Sequence, residues 1–523
     1  MINGITEGKS WQNISLKMVS IRQQYGDDND YPLEEDTAVM LDPDEAAEEV
    51  QDDGDASMDS GEESNADDEV IHEVQLENDS SAHFDLFKDG IFSIAQHPLH
   101  HAIVAIGGSE GEDAGGIGYL FDSTPAPSPV LPVSYQTSPG EIQERKTLGS
   151  LFTLEGHTDS IAALAFTLPS GKFLLSAGLD GKLRAYTSQN PQAWRFLAET
   201  QEVDEINWLS SCPNPIHQNV VALGANDGSV WIYKIDSSTK DAPLQIIQSF
   251  FLHTGSCTAG AWTPDGKMLA TVSEDGSLYV WDVFGDAAAD GVLHGDGGQA
   301  VVALTTADQR FAVEGGLFSV ATSPSGAFLA VGGANGAIKV VSIPRLSAGT
   351  TATPAGGQTS SKAKGGKQGS KAASATTGGQ IIADLNVQSD GIETLAFAPP
   401  PLTLLAAGSV DGSIALYDAA HRFAVRRHIR EAHENHSVVK VEFVKSAASG
   451  GWLLTSCGMD GVVRRWDARG GTASANSGLL REWKGHRGEG QGGGVLGFVQ
   501  GTGERIVTAG DDGLALVFEA PLA

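Results

Sequence analysis

The sequence predicts an all-β fold built from small antiparallel sheets that repeat along the chain. Residues 253–282, HTGSCTAGAWTPDGKMLATVSEDGSLYVWD, contain three short, partly alternating apolar runs separated by the turns TPDG and EDG. Such runs between glycine-containing turns are typical of a three-stranded meander, and a helix would not tolerate the turns. Similar stretches recur down the chain, and 64 glycines among 523 residues suit a protein made of turns.

Polar residues at fixed places predict how each meander is held together. In residues 253–282 they are His253 ahead of the first run, Thr271 in the second, Asp275 in the tight turn and Trp281 in the third. A partly buried imidazole needs a hydrogen-bond partner for each nitrogen, and a turn carboxylate plus a strand hydroxyl would supply both. This spacing resembles that of one blade of a WD-repeat β-propeller.

The same arrangement recurs in other parts of the chain. Three units carry most of it: His157, Ser176 and Asp180 with Tyr186; His433, Ser456, Asp460 and Trp466; and His486, Thr508 and Asp512 with Phe518. Three more keep the turn without the hydroxyl, around Asp227, Asn335 and Asp411, and one unit, from DGIFSIAQHP to GGIGYLFD, keeps only the strands. Eight units predict a single closed propeller of eight blades over residues 70–523, or of seven if that last unit is not a full blade.

The ends and insertions of the chain differ from the repeats. Residues 1–69 are predicted to be a disordered acidic extension, because residues 27–69 contain no Lys or Arg and could not bury enough apolar surface to fold. This extension is either a solvating tail or an electrostatic lure for a basic partner. Alternation in EVIHEVQLEN, with Val70, Val74 and Leu76, predicts a strand that closes the last blade. Residues 123–147, which are Pro-rich, and residues 347–380, which contain lysines, are expected to be flexible insertions.

No motif in the sequence indicates catalysis. GGSEGEDAGG resembles a phosphate loop but lacks the Lys-Ser/Thr ending, and no nucleophile motif is present. HPLHH and HENH have loose metal-like spacing without matching cysteines or carboxylates. We therefore expect no enzyme activity, no metal and no cofactor.

Cysteine usage and hydropathy indicate where the protein works. Cys212, Cys257 and Cys457 are scattered, which favours a reducing compartment and buried thiols. No apolar run is long enough to cross a bilayer, and the amino terminus lacks a secretory pattern. We expect a soluble protein of the cytoplasm, with the nucleus as a second location.

Three segments carry a closer resemblance. The acidic leader LDPDEAAEEV and the units IETLAFAPPPLTLLAAGSVDGSIALYD and VEFVKSAASGGWLLTSCGMDGVVRRWDARGG resemble the angio-associated migratory cell protein family, whose fungal members are ribosome-assembly proteins. The likeness covers about residues 34–518, apart from the two insertions. It implies a dedicated chaperone that binds the basic amino-terminal segment of newly made large-subunit ribosomal protein L ten (L10; universal name L sixteen) and delivers it to the late pre-60S particle.

The net charge of −34 agrees with a basic partner. A strongly acidic holder attracts polycations through its long-range field and disfavours wrong partners, at the cost of salt dependence. The alternative is a general scaffold, either a signalling adaptor or a chaperone of other basic proteins such as histones. Neither nucleic-acid nor membrane binding is expected, and we expect a monomer.

Acids at one repeated position predict where that partner binds. Just ahead of the first strand of four units stand Asp89, Asp159, Asp204 and Asp390, with Glu205 and Glu393 beside them and the turn acids Glu274 and Asp511 expected on the same face. Together they would form a partial ring of negative charge around the central channel. The alternative is that each Asp only caps local backbone amides.

Overall fold

The computed structural model describes residues 77–111, 114–124, 145–190, 192–294, 298–346, 378–446, 450–470, 478–488 and 492–522. The predicted acidic extension, the strand predicted at Val70, Val74 and Leu76, and most of both insertions lie outside these residues. Within them, almost all regular structure is β-strand. The exceptions are a short helix at Asp286–Ala289 and 3-10 turns at Ala334–Gly336 and Ala419–His421.

Eight antiparallel sheets form the blades, which we number 1 to 8 along the chain, with strands a to d from the centre outward. Blades 1 to 4 comprise Ile91–Gln96, Ile103–Ser109, Gly116–Asp122 and Ser150–Leu154; Ile161–Phe166, Phe173–Gly178, Lys182–Asn190 and Ala193–Gln201; Ile206–Ser211, Val220–Ala225, Val230–Ile235 and Leu244–Phe250; and Cys257–Trp262, Met268–Ser273, Leu278–Asp282 and Ala300–Leu304. Blades 5 to 8 comprise Leu317–Thr322, Phe328–Gly333, Ala337–Ser342 and Ile381–Asn386; Ile392–Phe397, Leu404–Ser409, Ile414–Asp418 and Ala424–Ile429; Val438–Phe443, Leu453–Gly458, Val463–Asp467 and Leu479–Trp483; and Val495–Val499, Arg505–Gly510, Ala515–Glu519 and Ala82–Phe84.

The ring is closed. Strand a of each blade contacts strand a of the next, and strand a of blade 8 contacts strand a of blade 1. The prediction of one closed propeller with eight blades is therefore confirmed, and the unit that keeps only its strands is a full blade. Each b strand is covered by both neighbouring blades, so Met268–Ser273, for example, is buried along its whole length. Burial on both faces explains why the sequence alternates only partly.

The strand that completes blade 8 is not the one predicted. Ala82 pairs with Val517 and Phe84 with Ala515, antiparallel, in the place that the sequence assigned to residues 70–76. Phe84 is fully buried and stacks on Phe121 of blade 1 at 5.1 Å between ring centroids. A strand of three residues is too short to show alternation, so burial of this ring decides which segment closes the blade. Lys146–Thr147, at the end of the predicted Pro-rich insertion, adds a parallel fifth strand.

Polar side chains on the innermost strands tie neighbouring blades together, a feature that the sequence analysis missed. Each donates to the carbonyl of a first-strand residue in the next blade: Ser93 Oγ to Ile161 O at 3.2 Å, Asn207 Nδ2 to Cys257 O at 2.9 Å, Thr258 Oγ1 to Leu317 O at 2.7 Å, and Ser319 Oγ to Ile392 O at 2.7 Å. These bonds satisfy carbonyls at the blade boundaries and fix the rotation of one blade against the next. The three cysteines are buried and unpaired.

Candidate binding face of the propeller

A hydrogen-bonded chain of four side chains holds the outer part of blade 7. Trp466 Nε1 donates to Ser456 Oγ at 2.8 Å, Ser456 Oγ lies 2.8 Å from His433 Nε2, and His433 Nδ1 lies 2.9 Å from Asp460 Oδ1. His433 is fully buried. Burial raises the pKa of Asp460, but the hydrogen bond from His433 and the charge of Arg464 outweigh burial and lower it to about 2. The carboxylate is therefore ionised at neutral pH and completes the chain as its final acceptor.

The structure brings the equivalent residues of blades 2 and 8 together in the same way. His157 contacts Ser176 at 2.8 Å and Asp180 at 3.0 Å. His486 contacts Thr508 at 2.8 Å and Asp512 at 3.0 Å. The third-strand aromatics of these blades, Tyr186 and Phe518, are buried beside the chains without extending them.

Blade 4 departs from the arrangement expected from its sequence. Trp281 Nε1 donates to Thr271 Oγ1 at 2.8 Å, and Thr271 Oγ1 lies 2.8 Å from His253 Nε2. The other ring nitrogen contacts Ser277 Oγ at 2.6 Å, and Ser277 in turn contacts Asp275 Oδ1 at 2.5 Å. Ser277 thus lies between the imidazole and the turn carboxylate. Its hydroxyl, two residues after Asp275, occupies the hydrogen-bonding position beside the ring that the carboxylate takes in the other blades.

These chains also position the loops that precede strand a, which we call the leading loops. The second oxygen of the turn carboxylate accepts the amide that follows the chain's His or its replacement: Thr158 N to Asp180 at 2.8 Å, Thr254 N to Asp275 at 2.6 Å, and Ser389 N to Asp411 at 2.8 Å. In the last case Gln388 stands where the other blades have His, and its amide donates to Ser413 Oγ at 3.0 Å. The buried chain thereby fixes the place of the exposed loop beside it.

A second repeated bond joins each leading loop to the turn between strands b and c, which we call the b–c turn. The amide of the turn residue donates to the carbonyl just ahead of strand a in seven blades: Leu179 to Ser160, Asn226 to Glu205, Glu274 to Ser256, Ala334 to Gly316, Val410 to Gly391, Met459 to Ser437, and Asp511 to Gly494, at 2.9–3.1 Å. Leading loops and b–c turns therefore lie on one face of the ring, which we call the binding face.

The predicted acids all lie on this face, in different degrees of exposure. Asp159, Asp204 and Glu274 are exposed, whereas Asp89, Glu205, Asp390, Glu393 and Asp511 are half-buried. Three of the loop acids also accept the next backbone amide: Asp89 from Gly90 at 2.8 Å, Asp159 from Ser160 at 2.7 Å, and Asp390 from Gly391 at 2.7 Å. Capping and surface charge are thus combined in the same residues.

Their distribution around the ring is uneven. Blades 8, 1, 2, 3 and 4 are consecutive and carry the set that we call the acidic arc: Asp511, Asp89, Asp159, Asp204, Glu205 and Glu274. Blade 6 carries Asp390 and Glu393 apart from it. At the corresponding loop position four blades have another residue instead of an acid: Gly255 in blade 4, Gly315 in blade 5, His436 in blade 7 and Gly493 in blade 8. Blades 4 and 8 carry their acids, Glu274 and Asp511, in the b–c turn.

The acidic arc crosses the boundary between the last and the first blade. A Cβ atom built on Gly90 would lie 2.9 Å from Asp511 Oδ1, so the turn carboxylate of blade 8 lies against the leading loop of blade 1. Burial, followed by the negative charges of Asp89 and Asp512, raises the pKa of Asp511. Like charges held together in this way favour a cation as ligand.

The leading loops carry further acids that the sequence analysis did not name, and Glu314 is one of them. Glu314 is exposed in the leading loop of blade 5, three residues before strand a rather than two. It lines an open cleft of about 360 Å³ together with Asn335, Lys339, Asp384 and Asn386. Lys339 is paired with Asp384 at 2.7 Å, so Glu314 leaves the cleft with net negative charge.

Within the described ranges, no cluster of three or more His, Cys, Asp or Glu side chains could hold a metal ion. The helices that the structure describes include none that is long and apolar enough to span a membrane.

Known proteins resemble both the repeats and the whole propeller. Residues 148–187 and 244–282 match the family model WD domain, G-beta repeat. Each match runs from strand d of one blade through strand c of the next, so the sequence repeat is offset from the blade. The crystal structure of Chaetomium thermophilum Sqt1 bound to the N-terminus of ribosomal protein L10 is 54% identical, has a TM-score of 0.72, and covers 85% of this chain and 100% of that one. This chain belongs to the Sqt1 family.

More distant relatives agree with this assignment. Ribosome assembly protein SQT1 of Saccharomyces cerevisiae is 26% identical over 490 residues, 87% of this chain and 90% of that protein. Angio-associated migratory cell protein of Homo sapiens is 24% identical over 451 residues, 86% of this chain and 82% of that protein. The resemblance recognised from the acidic leader and the two repeat units is therefore confirmed.

Proposed function

We propose that this protein is a dedicated chaperone of large-subunit ribosomal protein L10. It binds the basic amino-terminal segment of the newly made protein on its binding face and delivers it to the late pre-60S particle. The observation that carries the proposal is the acidic arc, which lies on the propeller of a Sqt1 family member, a family in which the Chaetomium thermophilum protein is seen bound to the N-terminus of L10.

The chemistry of the face suits an extended basic peptide. Exposed carboxylates at Asp159, Asp204 and Glu274 offer acceptors for Arg and Lys, and adjacent loops concentrate their field over the channel mouth. A cation near Asp89 and Asp511 would relieve the repulsion between them. Binding at this place shields the client's charge from RNA and other polyanions until delivery.

This function requires binding and release, with no bond made or broken in the client. We therefore propose a binding protein rather than an enzyme, without a cofactor, acting as a monomer. A cytoplasmic location follows from the same proposal because new ribosomal proteins are made there, and release at the pre-60S particle ends the cycle.

A matched pair of charge reversals tests the proposal. Asp204→Lys changes an exposed acid of the acidic arc, and Asp241→Lys makes the same change in the exposed c–d loop of the same blade, on the opposite face. Binding of a synthetic L10 amino-terminal peptide is measured by calorimetry, with the melting temperature of each variant. We expect Asp204→Lys to weaken binding about tenfold, or about 1.4 kcal/mol, and Asp241→Lys to leave it unchanged.

Two outcomes would overturn the proposal. One is equal binding by both variants, which would place the client elsewhere. The other is equal affinity of the wild-type protein for the L10 peptide and for a histone tail peptide, which would favour a general chaperone of basic proteins.

A further inference from the structure

The face opposite the binding face carries a different charge. It is formed by the a–b and c–d loops, because successive loops of an antiparallel blade emerge at alternate ends of its strands. In the described part of blades 5, 6 and 7 these loops contain no Asp or Glu, whereas the c–d loops of blades 3 and 4 carry four Asp residues: Asp236, Asp241, Asp286 and Asp290. Each c–d loop of blades 5 to 7 instead carries an exposed arginine: Arg345, Arg422 and Arg469.

Two further cations lie beside these arginines. Lys445 is exposed in the a–b loop of blade 7, and Arg426 is half-buried at the third residue of strand d of blade 6, next to the c–d loop. We call Arg345, Arg422, Arg426, Lys445 and Arg469 the basic sector. The described acids at the adjoining strand ends are Asp418, Glu442 and Asp467. The basic sector therefore keeps an excess of positive charge, in a chain whose net charge is −34.

Arginines of blades 6 and 7 meet at the boundary between these blades. Arg426 donates to Ala468 O at 3.2 Å and to Arg469 O at 2.7 Å. Its guanidinium group also lies 5.2 Å from the centre of the Trp452 ring. Arg469 donates to the Asp467 carboxylate from Nε at 2.9 Å and from a terminal nitrogen at 2.7 Å. These contacts hold both guanidinium groups in place before a ligand arrives, which lowers the entropic cost of binding.

A third arginine adds charge behind this pair. Arg427 is 6% exposed and donates to the backbone carbonyl of Asp467 at 2.9 Å. Burial lowers the pKa of Arg427; Asp467 opposes this shift, and the neighbouring charge of Arg426 adds to it. Three positive charges therefore gather at Asp467, which supplies one negative charge. Like charges held together in this way favour an anion as ligand.

We propose that the basic sector binds the phosphate backbone of RNA. The choice of RNA rests on the proposed function, because the particle that receives the client is built on RNA. Phosphates repel the acidic binding face, so contact through the basic sector turns the binding face away from RNA and keeps the client covered until release. Arginine suits phosphate because its planar fork donates two hydrogen bonds at once. Phosphate contacts carry no sequence information, so any RNA duplex should bind.

The sequence alone does not indicate nucleic-acid binding, because the members of the basic sector lie in three different repeats. Arg345, Arg422 and Arg469 are far apart along the chain and share no motif. The strand order places their loops on one side of one face, in consecutive blades. The fold therefore creates a positive surface that the net charge of the chain conceals.

A matched pair of double variants tests the inference. Arg345→Glu/Arg422→Glu reverses two exposed charges of the basic sector, and Lys172→Glu/Lys240→Glu makes the same change in net charge in exposed loops of the same face in blades 2 and 3. Each full-length protein is titrated against a labelled RNA duplex of about 16 base pairs, the length that a double-stranded-RNA-binding domain spans. Fluorescence anisotropy is read at about 0.05 M and about 0.2 M salt. The melting temperature and the affinity for the L10 peptide are measured on the same samples.

We expect the wild-type protein to bind the duplex at the lower salt concentration and to lose about tenfold in affinity at the higher one. Arg345→Glu/Arg422→Glu should weaken binding about tenfold at the lower salt concentration, and Lys172→Glu/Lys240→Glu less than about twofold. Both should keep the L10 peptide affinity. If Arg345→Glu/Arg422→Glu lowers the melting temperature, Arg345→Gln/Arg422→Gln replaces it, with a smaller loss in the same direction.

Four results would overturn the inference. They are absence of wild-type binding at the lower salt concentration, equal weakening in the two double variants, loss of binding only when residues 347–377 are deleted, and competition by polyglutamate as strong as that by unlabelled duplex. The last would assign the basic sector to an acidic protein. Each leaves the proposed function standing while the L10 peptide still binds, whereas failure of L10 peptide binding would remove that function without changing the RNA measurement.

Discussion

Asp511 of blade 8 lies against the leading loop of blade 1, close enough to Asp89 for the two negative charges to repel each other. Within the described part of the chain the Asp511 carboxyl group accepts no hydrogen bond, so no hydrogen bond from these residues offsets the repulsion. A folded protein that keeps two carboxylates together is less stable for it, and such costs are typical of binding sites.

Asp511→Asn should therefore raise the melting temperature at pH 7 while weakening binding of the L10 peptide. The melting temperature should rise because the pKa of Asp511 is raised: a carboxyl group that ionises less readily in the folded state destabilises that state when it is charged. Asp512→Asn is the matched control at the neighbouring position. The Asp512 carboxylate accepts a hydrogen bond from His486, so its loss should lower the melting temperature. A lower melting temperature for Asp511→Asn would contradict the interpretation.

The chain of hydrogen bonds in blade 4 predicts the effect of two substitutions. Asp275→Ala leaves Ser277 and the Thr254 amide without their acceptor, and Ser277→Ala leaves His253 Nδ1 without its partner. Each should destabilise the fold by roughly 1–3 kcal/mol, measured by urea denaturation. The double variant should cost less than the sum, because both changes interrupt one chain. If Ser277→Ala unfolds at the wild-type urea concentration, Ser277 does not link His253 to Asp275.

Acidification should begin to destabilise the protein at pH values well above those at which carboxylates titrate. Burial lowers the pKa of His253 to about 4, so between about pH 6.5 and 4 the unfolded chain binds a proton that the folded chain refuses. The loss is about 2 kcal/mol at pH 5 for this residue. Asp460, with its pKa of about 2, contributes no change there, because its stabilisation persists down to about pH 4.

Urea denaturation at pH 7 and pH 5 measures this effect. The His253→Gln variant is less stable at both pH values, but its loss between them should be smaller than that of the wild-type protein. An equal loss in both proteins would assign the pH dependence to other groups, of which His97, with its pKa lowered by burial to about 4, is the first to examine.

Removal of residues 1–69 should slow association with the L10 peptide at low salt and have little effect at high salt. A predicted disordered acidic segment raises the encounter rate through its field more than it sets final affinity. Stopped-flow fluorescence measures the rate, and a tail of equal length with Asn and Gln in place of Asp and Glu is the control. Loss of binding at every salt concentration would make this segment the docking site itself.

Asp390 combines a cap and a charge, and two substitutions separate them. Asp390→Asn keeps an oxygen that can accept the Gly391 amide, so it should weaken L10 peptide binding without changing the melting temperature. Asp390→Ala removes both and should also lower stability by about 1 kcal/mol. Unchanged binding in both variants would show that this acid serves only its loop.

The structure completes blade 8 in a way that the sequence pattern did not indicate. Ala82 pairs with Val517 near the opposite end of the chain, and the burial of Phe84 against Phe121 selects this short segment. Likewise, Ser277 reads as an ordinary turn residue until its distance to His253 is known. In both places the deciding contact involves a partner that the local pattern does not specify.

The sequence by itself determined the repeat, the number of blades, the hydrogen-bonded chains around His157, His433 and His486, and the family. These features are local, because each strand, turn and hydroxyl lies within a few dozen residues of its partners and carries its own spacing. Only the tertiary structure decided which acids are neighbours, since the approach of Asp511 to Asp89 depends on ring closure.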